Sequence, residues 1–442
     1  MRILIVGSGA REHAIARAFS QSSSKPTLFC CATSQNPGIE ALTQDYWVGD
    51  INCVNTVIEQ IRPWNIDLVM IGPEAPLEQG LADALEQQGI ATVGPKKKLA
   101  QLETSKTFTR TLLSNYEIPG SLLYRSFTKL TGVMDFLQEL GEGRYVIKAD
   151  GLMGGKGVKV AGDHLHSFEE AYQFCATLTQ QGQSFVIEEK LIGQEFSMLS
   201  FCDGEHLIPM PLVQDHKRAF VNDKGPNTGG MGSYSDANHS LPFLTPEDIK
   251  AAHAINQAVI KALIMECGEP YKGILYGSFM ATSHGVQLIE YNARFGDPEA
   301  MNVLSILDSD LTDICQSLVA GNLQANQVQF KPLATVCKYA VPLGYPDRPQ
   351  TNQPLDVSQV INTEQLYFAA LTVRENTLYT SGSRAVAVVG IAPTLAEAER
   401  IAEQEINRIE GPLFHRKDIG TAQLINQRIQ MMQQLREKSS PL

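Results

Sequence analysis

The sequence predicts a multidomain protein of mixed α/β and α+β class: a doubly wound parallel-sheet domain first, an α/β core with a glycine-rich lid next, and a small α+β domain last. Three observations carry this. The chain opens with a short apolar strand, Arg2–Val6, then Gly7-Ser8-Gly9 and a helix, which is how parallel α/β sheets begin. Midway, a glycine-rich loop ending at Gly157 lies between two β-strands. From about Gln327 the chain changes character, with strands following one another before a single long helix.

Bulk properties exclude several classes. At 442 residues the chain can hold about two to four domains. Hydrophobic residues are 43% and charged residues 19%, a globular balance that permits a large core. The net charge of -12 argues against a nucleic-acid partner, which would need basic surface. It leaves room for a local basic pocket. The eight cysteines form no C-x-x-C pair and sit mostly in apolar runs, so buried free thiols are expected rather than zinc or disulfides. The apolar N-terminal strand is too short for a signal peptide. No apolar run approaches the roughly 20 residues needed to cross a bilayer. The cytoplasm is therefore expected, with no membrane partner.

The first domain is read as residues 1–104. Strand Arg2–Val6 and Gly7-Ser8-Gly9-Ala10-Arg11-Glu12-His13 lead into a helix at 14–19, placing backbone N–H groups against a phosphate. A dinucleotide fingerprint fails here. Glu12 occupies the third glycine position, and no acidic residue follows the second strand, Thr27–Ala32, for a ribose. A phosphate or phosphoribosyl site stays open, with Arg11 as an added cation. A third buried strand, 66–71, ends in Gly72-Pro73-Glu74-Ala75-Pro76-Leu77. Glu74 is placed to bond sugar hydroxyls or, equally, to start a helix. A helix at 78–88 leads to Ala91-Thr92-Val93-Gly94-Pro95, and the whole reads as one doubly wound α/β domain.

The second domain is read as 105–326, with a lid at about 120–190. Lys106 opens a helix, against the dipole preference. Lys148 ends a strand that runs into Asp150-Gly151 and on to Gly154, Gly155, Lys156 and Gly157. Such glycines let N–H groups close over phosphates, although no G-K-[ST] opens a helix as in a P-loop. A strand at 185–191 presents Glu188, Glu189 and Leu191, with Glu195 beyond it. Gln214-Asp215-His216-Lys217-Arg218 and the polar loop Asn222–Gly232 follow. His216 fits a positioning role as well as a base. Then Glu290-Tyr291-Asn292-Ala293-Arg294 ends a buried strand. Side chains two apart share a strand face, so Glu290 and Asn292 point together, offering the hard oxygens that magnesium prefers. Arg294 supplies positive charge for a phosphoryl or carboxylate oxygen. The third domain, 327–442, has strands at 334–341, 366–373 and 384–389, a helix at 395–409 and a helical tail from 422.

Taken together, the run Gly7-x-Gly9-x-Arg11-Glu12-His13-Ala14, Gly72–Leu77, Lys106, Lys148-Ala149-Asp150-Gly151, Gln214–Arg218, Gly225–Gly232, Glu290–Glu299 and Arg416-Lys417-Asp418-Ile419-Gly420 resembles the phosphoribosylamine–glycine ligase family, ATP-grasp enzymes of purine biosynthesis. The resemblance implies an ATP-grasp core and a reaction joining glycine to 5-phosphoribosylamine through a glycyl phosphate. It also implies roles. Lys106, Lys148 and the Gly154, Gly155, Lys156, Gly157 loop hold ATP, with Glu188, Glu189, Leu191 and Glu195 toward adenine and ribose. Glu290 and Asn292 hold Mg2+ or Mn2+. Arg294 and Asp215 act on the reacting groups, Asp215 on the glycine ammonium. Gly9, Arg11, Glu12, Glu74, Asp297 and Pro298 bind substrate. A monomer or weak homodimer is expected. Two departures stand out: the family's P-G-N-x-G loop reads Ser34-Gln35-Asn36-Pro37-Gly38, and the strand Leu275–Phe279 brings no carboxylate to a second metal. The rival readings are another ATP-grasp ligase or carboxylase, an NAD-dependent oxidoreductase and a non-catalytic nucleotide-binding module.

Overall fold

The computed structural model describes residues 1–153 and 157–438. Strands β1 (Arg2–Val6), β2 (Thr27–Ala32), β3 (Asp45–Val48), β4 (Leu68–Ile71) and β5 (Ala91–Val93) form a parallel sheet in the order β3-β2-β1-β4-β5. Central strands covered on both faces need apolar side chains throughout, hence the unbroken runs in β1 and β4. The winding direction reverses between β1 and β4. The loops after these two strands therefore open on one crevice, where ligands of such sheets bind.

Two helix boundaries differ from expectation. The first helix spans Ala10–Ser20, starting before residue 14, because the Glu12 carboxylate accepts the Gly9 N–H at 2.7 Å and caps it. The expected helix at 78–88 is two, Glu74–Glu78 and Leu81–Gln87. Gly80 lies between them at φ 84°, a left-handed conformation that ends the first. An unanticipated helix, Lys97–Thr104, precedes helix Lys106–Asn115, and Ser105 breaks the two apart in extended geometry while its Oγ accepts the Phe108 N–H.

An antiparallel sheet follows, β6 (Tyr124–Phe127), β7 (Tyr145–Ala149), β8 (Val158–Val160) and β9 (Phe185–Glu189), in the order β6-β9-β7-β8 with a small core of its own. The chain continues through β10 (Gly193–Asp203), β11 (Leu207–Pro209), β12 (Gln214–Asp215), the ribbon β13 (Arg218–Phe220) and β14 (Lys224–Asn227), and β15 (Gly232–Ser235). Helix Pro246–Cys267, capped by Thr245, leads to β16 (Lys272–Thr282) and β17 (Gly285–Asn292). Strands β11-β10-β16-β17 form one sheet.

Beyond residue 327 lie β18 (Ala334–Pro342), β19 (Pro354–Leu355), β20 (Leu366–Phe368), β21 (Leu371–Arg374), β22 (Thr377–Thr380), β23 (Val386–Ala392) and β24 (Leu413–Phe414). The sheet β12-β15-β18-β23-β20 joins strands from both sides of residue 327, so the third domain shares a sheet with the second. The strand expected at 366–373 is two strands in different sheets. Ala369 and Ala370 donate to Ala385 and Arg384 carbonyls as the chain turns from one to the other. One hydrophobic core runs from the parallel sheet through β10 and β16 to β18. Among the described residues no helix is long and apolar enough to cross a membrane, and every cysteine except Cys53 is buried and unbridged.

Candidate functional site

A cavity of about 870 Å³ opens where the parallel sheet, the β6–β9 sheet and β17 meet. Lys106, Lys148, Asp215, Glu290, Asn292 and Arg294 all line it. A second cavity, about 270 Å³, lies over the Gly7–Gly9 turn, and Arg11 and Asp297 line both. Gly157 lines the main cavity; Gly154, Gly155 and Lys156 lie outside the described residues.

Glu290 and Asn292 share the cavity face of β17, and Tyr291 turns into the core, where its hydroxyl donates to Asn256 Oδ1 at 2.8 Å. A β-bulge sets this phase. Ser278 pairs with Glu290 and Phe279 with Leu288, leaving Ile289 extra. Burial alone would raise the Glu290 pKa, but Lys217, Lys148 and Lys106 hold it below the ordinary carboxylate value, so the group is charged at neutral pH. Ser278, opposite it, gives its hydroxyl to Glu195.

Lys148 is fixed by a buried triad. Glu188 takes Arg110 Nε at 2.7 Å and Nη2 at 3.0 Å on its two oxygens, and Lys148 Nζ at 2.7 Å. Burial works against the Glu188 charge, yet Arg110 and Lys148 hold its pKa at about 2. The Glu188 carboxylate is thus spent on orienting Lys148, and Glu189, which also lines the cavity, accepts the Leu123 N–H. Leu191 and Glu195 line the cavity. Lys106 is placed by Asp150, whose Oδ1 accepts the Lys106 N–H at 2.6 Å, and its Nζ donates to the Gly151 carbonyl at 3.0 Å. Asp150 thereby supplies the negative charge the helix start prefers, offsetting the lysine.

Arg294 sits between two carboxylates: Nη2 is 2.8 Å from Glu103 and Nε is 3.3 Å from Glu74. Burial opposes the Glu74 charge, but Arg294 and Arg11 bring its pKa to about 2. Glu103 is driven by burial up to about 7, although Arg294 pulls the other way. Glu12 is occupied on both oxygens, by Arg11 Nε at 2.5 Å and by the Gly9 N–H. These bonds shape the turn, and Glu12 also borders the second cavity. Gly7 and Gly72 make room for it, since a Cβ at Gly72 would lie 2.0 Å from the Glu12 carboxylate. Asn36, in the departed loop, accepts the Gly38 and Ile39 N–H groups and donates to the Ser8 and Phe368 carbonyls. The Gly38 and Ile39 N–H groups are thus satisfied within the loop.

On the far wall, Lys217 Nζ is ion-paired with Glu195. Burial and then Glu299 push the Asp215 carboxyl well above its usual pKa. Burial, then Arg416 and Arg428, lower the His216 pKa to about 3, so its imidazole is neutral at neutral pH. Asp297 accepts from Tyr339 and pairs with Arg384 at 3.2 Å, and Pro298 packs near Gly230. Arg384 also donates to the Gly229 and Gly230 carbonyls and lies 4.4 Å from the Tyr339 ring centroid. Sequence reasoning missed Glu103, Arg110 and Arg384. Only the long-range partner makes each visible, and no local motif marks it.

Known proteins match this arrangement. The chain matches signatures described as phosphoribosylglycinamide synthetase N domain over residues 1–103, ATP-grasp (A) domain over 104–300 and C domain over 335–422. It is similar to a phosphoribosylamine–glycine ligase of Methanosarcina barkeri, 47% identical over 99% of this chain and 100% of that protein. The crystal structure of phosphoribosylamine–glycine ligase from Thermotoga maritima superposes with a TM-score of 0.80 at 25% identity, covering 95% of this chain and 100% of that one. The fold is also that of the biotin carboxylase domain of Hydrogenobacter thermophilus 2-oxoglutarate carboxylase, solved with MgADP and bicarbonate (TM-score 0.68, 14% identity, 98% and 93% coverage).

The Glu188 triad sets an acid limit. Its folded pKa lies below the ordinary 4.5, so its contribution to stability is present above about pH 4.5 and is lost as pH falls toward about 2. Glu188→Gln is expected to lower the melting temperature at neutral pH and to flatten its decline between about pH 5 and pH 3. Parallel melting curves for wild type and variant would contradict the triad.

Proposed function

The chain belongs to the phosphoribosylglycinamide synthetase family and is an ATP-dependent ligase of purine biosynthesis that joins glycine to 5-phosphoribosylamine; from that premise we propose how its own residues divide the work. A carboxylate is a poor electrophile until one oxygen becomes a leaving group. In the proposed sequence a glycine carboxylate oxygen takes the γ-phosphoryl of ATP, releasing ADP. The amine of phosphoribosylamine then attacks the carbonyl of this glycyl phosphate, phosphate leaves, and the nitrogen gives up a proton as the amide forms. Such a route is mainly positioning and charge neutralisation, which suits a site rich in fixed cations and without a nucleophile–base pair.

Lys106 and Lys148 hold the nucleotide phosphates, and Gly157 borders the same cavity. Leu191 flanks the base and Glu195 the ribose. Glu188 acts through Lys148. Glu290 and Asn292 suit one Mg2+ or Mn2+ ion: they are hard oxygen donors on one face, and Glu290 is kept ionised by three lysines. Among the described residues no group of three His, Cys, Asp or Glu side chains is arranged for a metal, so Glu290 and Asn292 are the protein donors that would hold the ion. When bound there, such an ion would supply charge neutralisation for the phosphoryl group. Asp215, whose pKa is raised by burial and then by Glu299, receives the glycine ammonium, whose charge favours the ionised carboxylate. Gly9, Arg11, Asp297, Pro298 and Glu74 form the acceptor side, with Glu12 supporting the turn.

One observation carries the reading. Arg294, two residues past the metal-facing Asn292, is ion-paired with Glu74 of the acceptor crevice. A single guanidinium therefore stands where the phosphoryl-transfer set meets the acceptor site, as a glycyl phosphate requires. Phosphate release is expected only when ATP, glycine and phosphoribosylamine are all present. Release supported by bicarbonate in place of glycine would favour a carboxylase instead.

Glu290→Ala should reduce turnover at ordinary magnesium by about a hundredfold or more while the circular dichroism spectrum is unchanged. Near-normal turnover would remove Glu290 from the metal. Arg294→Lys should likewise lose about a hundredfold in kcat with ADP binding retained, because a point charge cannot reproduce the planar fork that reaches two partners at once. A variant with wild-type kcat would refute that placement.

A further inference from the structure

The C-terminal helix Ala422–Glu437 lies beyond the family's C-domain signature, which ends at 422. It does not stay with the sheet it follows but packs on β10 and β16. Arg428 and Met431 line the main cavity. Gln194 donates to Met431 Sδ, next to Glu195. Lower on the helix, Arg436 Nη2 reaches Asp248 at 2.5 Å, pinning the tail to helix Pro246–Cys267.

The same helix grips the loop between β13 and β15. Arg428 is ion-paired with Asp223, whose other oxygen takes Arg416 Nη1 at 2.9 Å, and the Asn222 N–H donates to Asp418 at 2.9 Å. Asn222 and Asp223 stand in succession at φ 59° and 53°, left-handed geometry that Asn and Asp adopt more readily than other non-glycine residues. Arg416, Asp418 and Arg428 hold this turn in place. Downstream, Asn227, Thr228 and Gly229 line the cavity, and Thr228 donates from both N–H and Oγ to the Lys217 carbonyl, at 2.7 and 2.9 Å. Lys217 in turn pairs with Glu195. A continuous path thus runs from Arg428 to the residue placed beside the ribose. Two buried polar atoms at this end, Arg428 Nε and His216 Nε2, have no hydrogen-bond partner among the described residues.

We propose that the C-terminal helix is a wall of the active site: Arg428 is a positioning residue that fixes the Asn222–Gly232 loop through Asp223, and Met431 closes the nucleotide end of the cavity beside Gln194. This rests on the nucleotide placement above. It gives the tail a role in the affinity for ATP and ADP rather than in the chemical step.

The test is calorimetric titration of the full chain with MgADP, together with separate KM values for ATP and glycine. Arg428→Ala is expected to weaken MgADP binding and raise the KM for ATP about tenfold, with kcat and the KM for glycine changing less than about twofold. Arg428→Lys should recover part of the loss, and Asp223→Asn should reproduce it without adding to it in the double variant. A folded Arg428→Ala chain that binds MgADP within about twofold of wild type overturns the proposal. If that variant does not fold, Met431→Ala decides, since it leaves the Asp223 pair intact. A roughly threefold weaker MgADP affinity is expected, and an unchanged one removes the helix from the site. Because the titration reads nucleotide binding alone, a failed ligase assay with wild type would count against the reaction and not against this placement.

Discussion

Arg294 is a buried cation held by carboxylates that arrive from two different segments. Glu103 comes from the end of helix Lys97–Thr104, and Glu74 starts the short helix after β4. Removing either partner would leave charge stranded in a low-dielectric seam, so the three segments are tied in one geometry. Glu103 also accepts the Ala293 N–H at 2.7 Å, fixing the backbone just past β17. The spacing between the crevice after β4 and the Glu290–Asn292 face of β17 is thereby set by charge pairing, where a hydrophobic contact would leave orientation loose.

The same device recurs at other seams. Arg110 and Lys148 meet over Glu188 where the β6–β9 sheet touches the Leu288 and Ile289 carbonyls, to which Arg110 also donates. Lys338, wholly buried on β18, is neutralised by Glu399 and Glu403 of helix Leu395–Ile406. His13 accepts the Phe368 N–H at 3.0 Å, joining the first helix to β20, and burial followed by Arg17 lowers its pKa to about 3, which keeps it neutral and able to accept. Buried ion pairs add little net stability, because desolvation cancels most of the attraction. What they supply here is position, in a protein whose ligands carry many charges of their own.

Much of this was legible in the sequence, for physical reasons that also explain the failures. Apolar runs and glycine turns announced β1, β4 and their crevice, because those features are local. Period-two alternation placed Glu290 with Asn292. The fate of a carboxylate was harder to read. Glu12 and Glu188 were both expected to face ligands, yet their oxygens are filled by Arg11 and Gly9, and by Arg110 and Lys148. The partner that decides is remote in the chain for Glu188, as it is for Arg384 with Asp297. A sequence shows which groups can carry charge; only the fold shows which charges remain available.

The bulge at Ile289 is the clearest case of local sequence and fold acting together. In a regular strand Glu290 would share the face of Leu288, which is completely buried. A carboxylate there would be neutralised by desolvation and would hold no metal. The extra residue reverses the phase, so that Ile289, Glu290 and Asn292 all border the cavity. It also leaves the Ile289 carbonyl outside the ladder, where it accepts from Arg110 Nη2 at 2.7 Å and Lys148 Nζ at 3.2 Å. One inserted residue therefore turns the acid toward the cavity and seats the lysine that helps to keep it ionised, and the two effects cannot be separated by substituting either side chain alone.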